Sequence, residues 1–206
     1  SIRKNGMFYH YLDFSGKPST EGYENVTSTI DTALLLMGVI TAGEYFGGEV
    51  AKLADKIVGE VNWRAYTETD KRAISMGWKP EDKEKLEGKG KLLPYHWNYF
   101  SDESILCTLL AIAAPRREYR IEPEYFYYWA RNRGHYGDGV DFVFSWSGAL
   151  FTYQFSHLWV DFKSLGSDQP GKHKLDHIPA INWFENSRNA TLASRRFSLD
   201  NAPDIT

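Results

Sequence analysis

Asp31-Thr-Ala-Leu-Leu-Leu-Met-Gly-Val-Ile-Thr-Ala-Gly-Glu-Tyr-Phe46 is apolar nearly all round, and after Gly47-Gly48 comes Glu49-Val-Ala-Lys-Leu-Ala-Asp-Lys-Ile-Val-Gly-Glu-Val-Asn-Trp63. The first stretch has no polar face, with Ala33, Leu34, Leu35, Leu36, Met37, Val39 and Ile40 spread around it, so it reads as a buried helix. The second places Val50, Leu53, Ala54, Ile57, Val58 and Val61 on one stripe and Lys52, Asp55, Lys56 and Glu60 outside it. The pattern recurs. Ser101–Ala114 is again apolar nearly all round and is ended by Pro115, and Glu122–Asn132 is amphipathic and opens with Pro123 at a plausible first helical position. A third pair is expected at Phe151–Phe162 and Pro179–Leu199, the latter with Arg188, Arg195 and Arg196 on a polar side. A buried helix followed by an amphipathic one is the logic of stacked helical hairpins, an all-α architecture of inner helices walled by outer ones. The repeat is architectural, without letter-level identity.

Two connections are long. Arg64–Phe100 holds an expected β-hairpin around Glu68-Thr69-Asp70-Lys71 and a charged stretch at Pro80–Lys91, and Gly134–Ser147 holds Gly137, Gly139 and Trp146. Loops of such length in a domain are usually functional or disordered. The chain enters directly on Met7-Phe-Tyr-His-Tyr-Leu-Asp-Phe14 and stops soon after a helix, so residues 1–206 read as part of a single domain truncated at both ends.

Charge narrows the function classes. Lys and Arg number 24 against 27 Asp and Glu, a net charge of −3, which disfavours a nucleic-acid footprint. The longest uncharged apolar stretch, Thr32–Gly43, is shorter than the roughly 20 residues of a membrane span. The single Cys107 excludes an internal disulfide and a multi-cysteine zinc site. No phosphate loop, nucleophile elbow or dinucleotide fingerprint is present, and no cofactor is expected. What remains conspicuous is 16% aromatic residues, which stack on sugar rings as readily as they fill cores.

Asp31 stands at the mouth of the first buried helix, where Ser28-Thr-Ile-Asp31 fits a capping box with the Asp31 side chain reaching back to the Ser28 amide. Glu103 holds the equivalent place on the second buried helix, two residues after the cap candidate Ser101. Capping and the helix dipole would each explain these carboxylates as structural. If the inner helices run parallel, however, both project from one end of the bundle, an arrangement that suits glycosidic bond cleavage by paired carboxylates. The helix N-terminus lowers a carboxyl pKa, so a general acid there needs burial or a neighbouring carboxylate to raise it. His157 and Asp161, four apart, would share a helix face, as a hydrogen-bonded pair orienting a loop or sugar hydroxyl rather than as a metal site. Glu185 and Arg188 are spaced for a helix-surface ion pair. Trp78, Trp97 and Trp146 fall in expected loops, as sugar platforms or loop anchors.

Taken together, Gly6-Met-Phe-Tyr-His-Tyr-Leu-Asp13, Ser28-Thr-Ile-Asp-Thr-Ala-Leu-Leu-Leu36, Ser75-Met-Gly-Trp-Lys-Pro80, Tyr99-Phe-Ser-Asp-Glu-Ser104, Phe151-Thr-Tyr-Gln-Phe-Ser-His-Leu-Trp-Val-Asp-Phe162 and Phe184-Glu-Asn-Ser-Arg-Asn-Ala-Thr191 resemble the glucoamylase-like family of bacterial proteins, which includes endo-β-1,2-glucanases. The matches run in order over nearly the whole chain. The resemblance implies an (α/α)6 toroid of which about half is present, and an inverting glycoside hydrolase acting on β-linked glucan, periplasmic or secreted. It implies Glu103 as general acid and Asp31 as its assistant or a substrate-positioning group. It implies Trp78, Lys79, Trp97, Trp146, His157, Asp161, Glu185 and Arg188 as sugar contacts. Val26 stands where relatives often carry an acidic residue, with Glu24 the nearest acid. A non-catalytic carbohydrate-binding member and a cyclic-glucan transglycosylase-like domain are the alternatives. The expected partners are an oligo- or polysaccharide and the remainder of the toroid.

Overall fold

Helix α1 (Thr29–Phe46) starts where the Ser28 hydroxyl accepts the Asp31 amide at 3.2 Å, and it ends at Gly47. In the computed structural model, which describes residues 2–19, 25–82 and 89–202, helix α2 (Gly48–Gly59) follows at once. Gly47 and Gly48 turn the chain at φ of 63° and 55°, a left-handed path that side chains with a Cβ resist. The two helices pack closely at Gly43, where an added Cβ would stand 2.8 Å from that of Ala54. A larger residue there would force the helices apart, at about 1–3 kcal/mol.

α1 buries Thr29, Thr32, Ala33, Leu36 and Gly43, while Leu35, Tyr45 and Phe46 remain exposed. The expectation of burial on every side is therefore corrected to burial along one side. With 18 residues at a mean hydropathy of 1.2 and 28% of them buried, α1 passes the length and composition test for crossing a membrane, which the core helix of a soluble protein also passes. α2 stops short of the expected Trp63, because Asn62 accepts the Ala65 amide at 3.1 Å and opens a separate 3₁₀ turn, Trp63–Tyr66.

The sheets are small. β1 (Arg3–Lys4) pairs with β2 (Met7–Phe8), and β3 (Thr27–Ser28) leads into α1. The expected hairpin forms as β4 (Thr67–Glu68) and β5 (Ala73–Ile74). β6 (Gly77–Lys79) lies between β3 and β7 (Lys91–Leu92), and β8 (Arg133–Gly134) pairs with β9 (Phe142–Val143). The fold is helical with small sheets. Part of the charged stretch expected at Pro80–Lys91 lies outside the described residues, as does Glu24.

Two compact units divide the chain: Ser1–Trp97 with Leu106–Tyr125, and Asn98–Ile105 with Phe126–Thr206. In the first, Trp63, Tyr66, Met7, Leu36 and Val61 are fully buried, each apolar side chain of that size contributing about 1.5–3 kcal/mol. In the second, Phe126, Tyr127, Trp129 and Trp183 surround Arg131, with Phe100 packed against the two tryptophans. Its guanidinium meets Asp168 at 2.8 Å, and the Trp183 indole donates to the same carboxylate at 2.9 Å. Removing one partner of a buried pair of this kind costs about 3–5 kcal/mol.

Helix α3 (Asp102–Ile112) matches the second buried stretch, and α5 (Trp183–Asn201) begins later than expected because Asn182 caps it through the Glu185 amide. Two expected helices do not form. Glu122–Asn132 gives only the 3₁₀ turn Pro123–Tyr127, since the Ala130 N–H bonds to Asn98 O at 2.8 Å and the Phe100 N–H to Ala130 O at 3.0 Å. Phe151–Phe162 breaks into the 3₁₀ turns Leu150–Tyr153 and Ser156–Leu158 before a four-residue helix, α4 (Phe162–Leu165). The Thr152 hydroxyl bonds Ala149 O at 2.7 Å, the Ser156 amide is drawn to Asp102 at 3.0 Å, and Asp161 caps α4 through the Ser164 amide at 3.1 Å. Such local bonds compete with helix propagation.

Candidate active site

Asp31 sits exposed in the first turn of α1, and its carboxylate accepts the Ser28 hydroxyl rather than the Ser28 amide expected of a capping box. Ser28 is the last residue of β3, opposite Gly77. The same carboxylate oxygen, Oδ2, lies 3.3 Å from the His10 imidazole, and the His10 ring sits tilted against Tyr11 with centroids 4.1 Å apart. Thr29 in the same turn accepts the Trp97 indole N–H at 2.9 Å and donates its hydroxyl to the backbone at Ser75 and Met76. Trp97 is thus pinned to the mouth of α1, half-buried.

Glu103 repeats this design on α3. The Ser101 hydroxyl accepts the Glu103 amide at 3.1 Å and donates to the Glu103 carboxylate at 3.1 Å. Glu103 is half-buried, whereas its neighbour Asp102 is 1% exposed. Asp102 accepts the Ser156 N–H at 3.0 Å. Burial pushes its carboxyl up to about 7, hydrogen bonding from Ser156 opposes that, and the neighbouring Glu103 charge adds to it. Sequence reasoning passed over Asp102. The signal available was its helical spacing: Ile105 and Leu106, three and four residues on, are both fully buried, which puts Asp102 at the foot of a core-facing stripe.

The aromatic candidates separate. Trp78 is buried at 6% exposure in the central strand β6; Lys4 Nζ lies 4.9 Å from its ring centroid, and a Cβ on Gly90 would stand 2.1 Å from its Cζ2. It is a core anchor, not an open platform, which corrects the loop reading. Lys79, next along β6, is half-buried and paired in register with Lys91. Trp146 is 69% exposed, with Tyr99 edge-on at 5.8 Å and Phe144 at 5.9 Å. Tyr99 is itself exposed, a platform residue that sequence reasoning quoted only as part of a motif.

His157 and Asp161 do not share a helix face: His157 belongs to the Ser156–Leu158 turn and Asp161 is the cap of α4. Hydrogen bonds from Ser164 hold the Asp161 carboxyl below its ordinary range. Burial holds His157 below its usual value, so it is neutral at pH 7 and able to donate and accept with hydroxyls. His157 lines two clefts that also share Phe184. One, of about 360 Å³, adds Gln154, Ser187, Arg188 and Thr191; the other, of about 430 Å³, adds Trp159, Asp161 and Lys163. Glu185 and Arg188 form an exposed ion pair at 3.3 Å, with Glu185 lining a further cleft beside Arg133 and Asp141. Among the described residues no cluster of three His, Cys, Asp or Glu is arranged to hold a metal.

Comparison with known proteins gives a consistent picture. The family model Glycoamylase, described as "Putative glucoamylase", matches residues 94–204, more than half of the chain. The chain is 23% identical over 235 residues to an exo-β-1,2-glucooligosaccharide sophorohydrolase (non-reducing end) of Parabacteroides distasonis, an alignment covering 96% of this chain and 29% of that protein. Among solved structures, the endo-β-1,2-glucanase of Chitinophaga pinensis, in complex with sophorotriose and glucose, is similar with a TM-score of 0.74 at 20% identity, over 98% of this chain and 48% of the other. A putative glucoamylase from Bacteroides fragilis NCTC 9343 is similar with a TM-score of 0.72 at 22% identity, over 98% and 47%. The chain spans under a third of the curated relative's length and about half of the length of the solved structures.

Proposed function

The chain belongs to the Glycoamylase family, and from that premise we propose that the protein containing it is a glycoside hydrolase acting on β-1,2-linked glucan, with Glu103 as the general acid. The observation that carries the reading is the placement of Glu103: a half-buried carboxyl in the first turn of α3, held by Ser101 with the buried Asp102 next to it. In the proposed mechanism Glu103 protonates the departing glycosidic oxygen while water attacks the anomeric carbon from the opposite face, activated by a base in the remainder of the protein. Asp31 assists or positions substrate, with Trp97 beside it in the mouth of α1. Trp146 with Tyr99 offers an aromatic face for a sugar ring, and His157, Asp161, Glu185 and Arg188 offer polar contacts to hydroxyls.

The proposal extends to the architecture. The hairpin α1–α2 and the helix α3 would belong to an (α/α)6 toroid whose remaining helices cover the open apolar side of α1 at Leu35, Tyr45 and Phe46. The enzyme would act in the periplasm or outside the cell, where such polymers are met. The names of the relatives support the linkage, and the rival reading is a non-catalytic sugar-binding member. Reducing-sugar release from a panel of β-glucans by the full-length protein tests this. Release from β-1,2-glucan above the other linkages is the expected result; saturable binding of the glucan with no release would leave the non-catalytic reading standing.

A further inference from the structure

Asp102 presents a puzzle that the proposed function does not absorb. Its side chain is buried beneath the first turn of α3 and accepts the Ser156 amide at 3.0 Å. An asparagine would accept that amide equally well without placing an ionisable group out of water, where a charge is costly. Ser156 is fully buried and is the hub of its turn: its carbonyl accepts the Trp159 N–H at 3.2 Å and the Val160 N–H at 3.0 Å. The next residue is His157, which lines both clefts at Phe184. On the other side, Asp102 is chain neighbour to Glu103, within the span of the Ser101 cap.

We propose that Asp102 is a positioning residue, its buried carboxyl holding the turn that carries His157 against the helix turn that carries Glu103. This rests on the reading that Glu103 and His157 both meet the sugar. A hydrogen bond to an ionised acceptor is the stronger one, but the cost of burying the charge outweighs it at Asp102, so closing the turn over this carboxyl is easier while it keeps its proton. The charged group beside it on α3 is Glu103, and the titratable group on the tied turn is His157, whose pKa burial lowers. The carboxyl therefore contributes what an asparagine would not: a clasp on the sugar-contacting turn that loosens as pH rises through neutral.

The test uses the full-length protein with Asp102→Asn and Asp102→Ala, read by hydrogen exchange and by kinetics on β-1,2-glucan. In the wild type, protection of the 156–160 segment should fall about tenfold between pH 5.5 and 8.5 once intrinsic exchange is corrected for. Asp102→Asn should keep the protection the wild type shows at pH 5.5 but lose that pH dependence, and Asp102→Ala should lose about tenfold in protection at pH 5.5 and raise KM more than it lowers kcat. If the alanine variant does not fold, the asparagine variant decides alone: the same pH course in variant and wild type overturns the proposal. Unchanged protection in a folded Asp102→Ala protein overturns it as well, whatever happens to activity. A wild type that does not cleave the glucan sinks the functional reading, while the exchange data still judge Asp102.

Discussion

The mouths of α1 and α3 are built by the same local rule and differ in one side chain. At each, a serine before the helix accepts a first-turn amide and turns its hydroxyl onto a first-turn carboxylate, Ser28 onto Asp31 and Ser101 onto Glu103. At α1 the carboxylate is exposed and its further partner is the surface imidazole of His10. At α3 a second carboxyl, Asp102, lies buried beside the first and binds a distant stretch of backbone. Capping thus accounts for both Asp31 and Glu103 without any chemistry. The feature that capping does not account for is Asp102, and its presence favours α3 as the reactive mouth.

The largest effect expected to separate the two mouths is on turnover. Glu103→Gln keeps size and position but removes the proton a leaving oxygen needs, so kcat of the full-length enzyme should fall by about 10²–10⁴ while melting changes little. Asp31→Asn should lower kcat far less. Equal losses from the two substitutions would break the asymmetry, and activity of Glu103→Gln within about threefold of wild type, far short of that drop, would end its candidacy as the acid.

The next effect is on stability and has a sign set by pH. In the folded chain Asp102 holds its proton up to about pH 7, against an ordinary value of 3.8. Between those values the native state binds more protons than the unfolded state, so this group's contribution to stability falls as pH rises and levels off above 7. Asp102→Asn should therefore melt at a higher temperature than wild type at pH 8, by an amount on the order of 1–4 kcal/mol, with the difference shrinking toward pH 4. Parallel melting curves for wild type and Asp102→Asn from pH 4 to 8 would show that Asp102 is not the buried acid described.

How much of this was legible in the sequence follows from the range of the forces involved. The α1–α2 hairpin was legible because helical period, Gly47-Gly48 and the Ser28 cap are all local and agree. Phe151–Phe162 was not, because its apolar density suits a helix while its serine, threonine and aspartate side chains and one distant carboxyl take the backbone elsewhere. Trp78 read as a loop residue, platform or anchor, because the pairing of β6 with β3 and β7 is non-local. The carboxylates were found through their caps, but the burial of Asp102 depends on a contact across 54 residues.

Caps should give smaller, more equal effects. Ser28→Ala and Ser101→Ala each remove one amide acceptor and one carboxylate donor, at about 0.5–2 kcal/mol of stability. The sharper comparison is functional: Ser101→Ala should also disturb turnover, because Glu103 loses the hydroxyl that orients it, whereas Ser28→Ala should lower stability with less effect on rate. Differential scanning calorimetry beside initial rates measures both.

The smallest stability effect belongs to the exposed pair on α5. Glu185 and Arg188 meet at 3.3 Å with more than half of each side chain in water, so the pair contributes about 0.2–0.5 kcal/mol. Arg188→Ala should leave melting within that margin. Arg188 also lines the cleft of His157, Gln154 and Thr191, where its guanidinium is placed to donate to sugar hydroxyls. Titrating the full-length protein with sophorotriose by calorimetry should then show weaker binding for Arg188→Ala by about three- to tenfold, the worth of one or two hydrogen bonds in a wet site. Glu185→Ala removes the same ion pair but leaves that cleft intact, so it should bind as wild type does. Equal weakening by both would mean that the ion pair, and not the cleft, sets the affinity, and Arg188 would leave the list of sugar contacts.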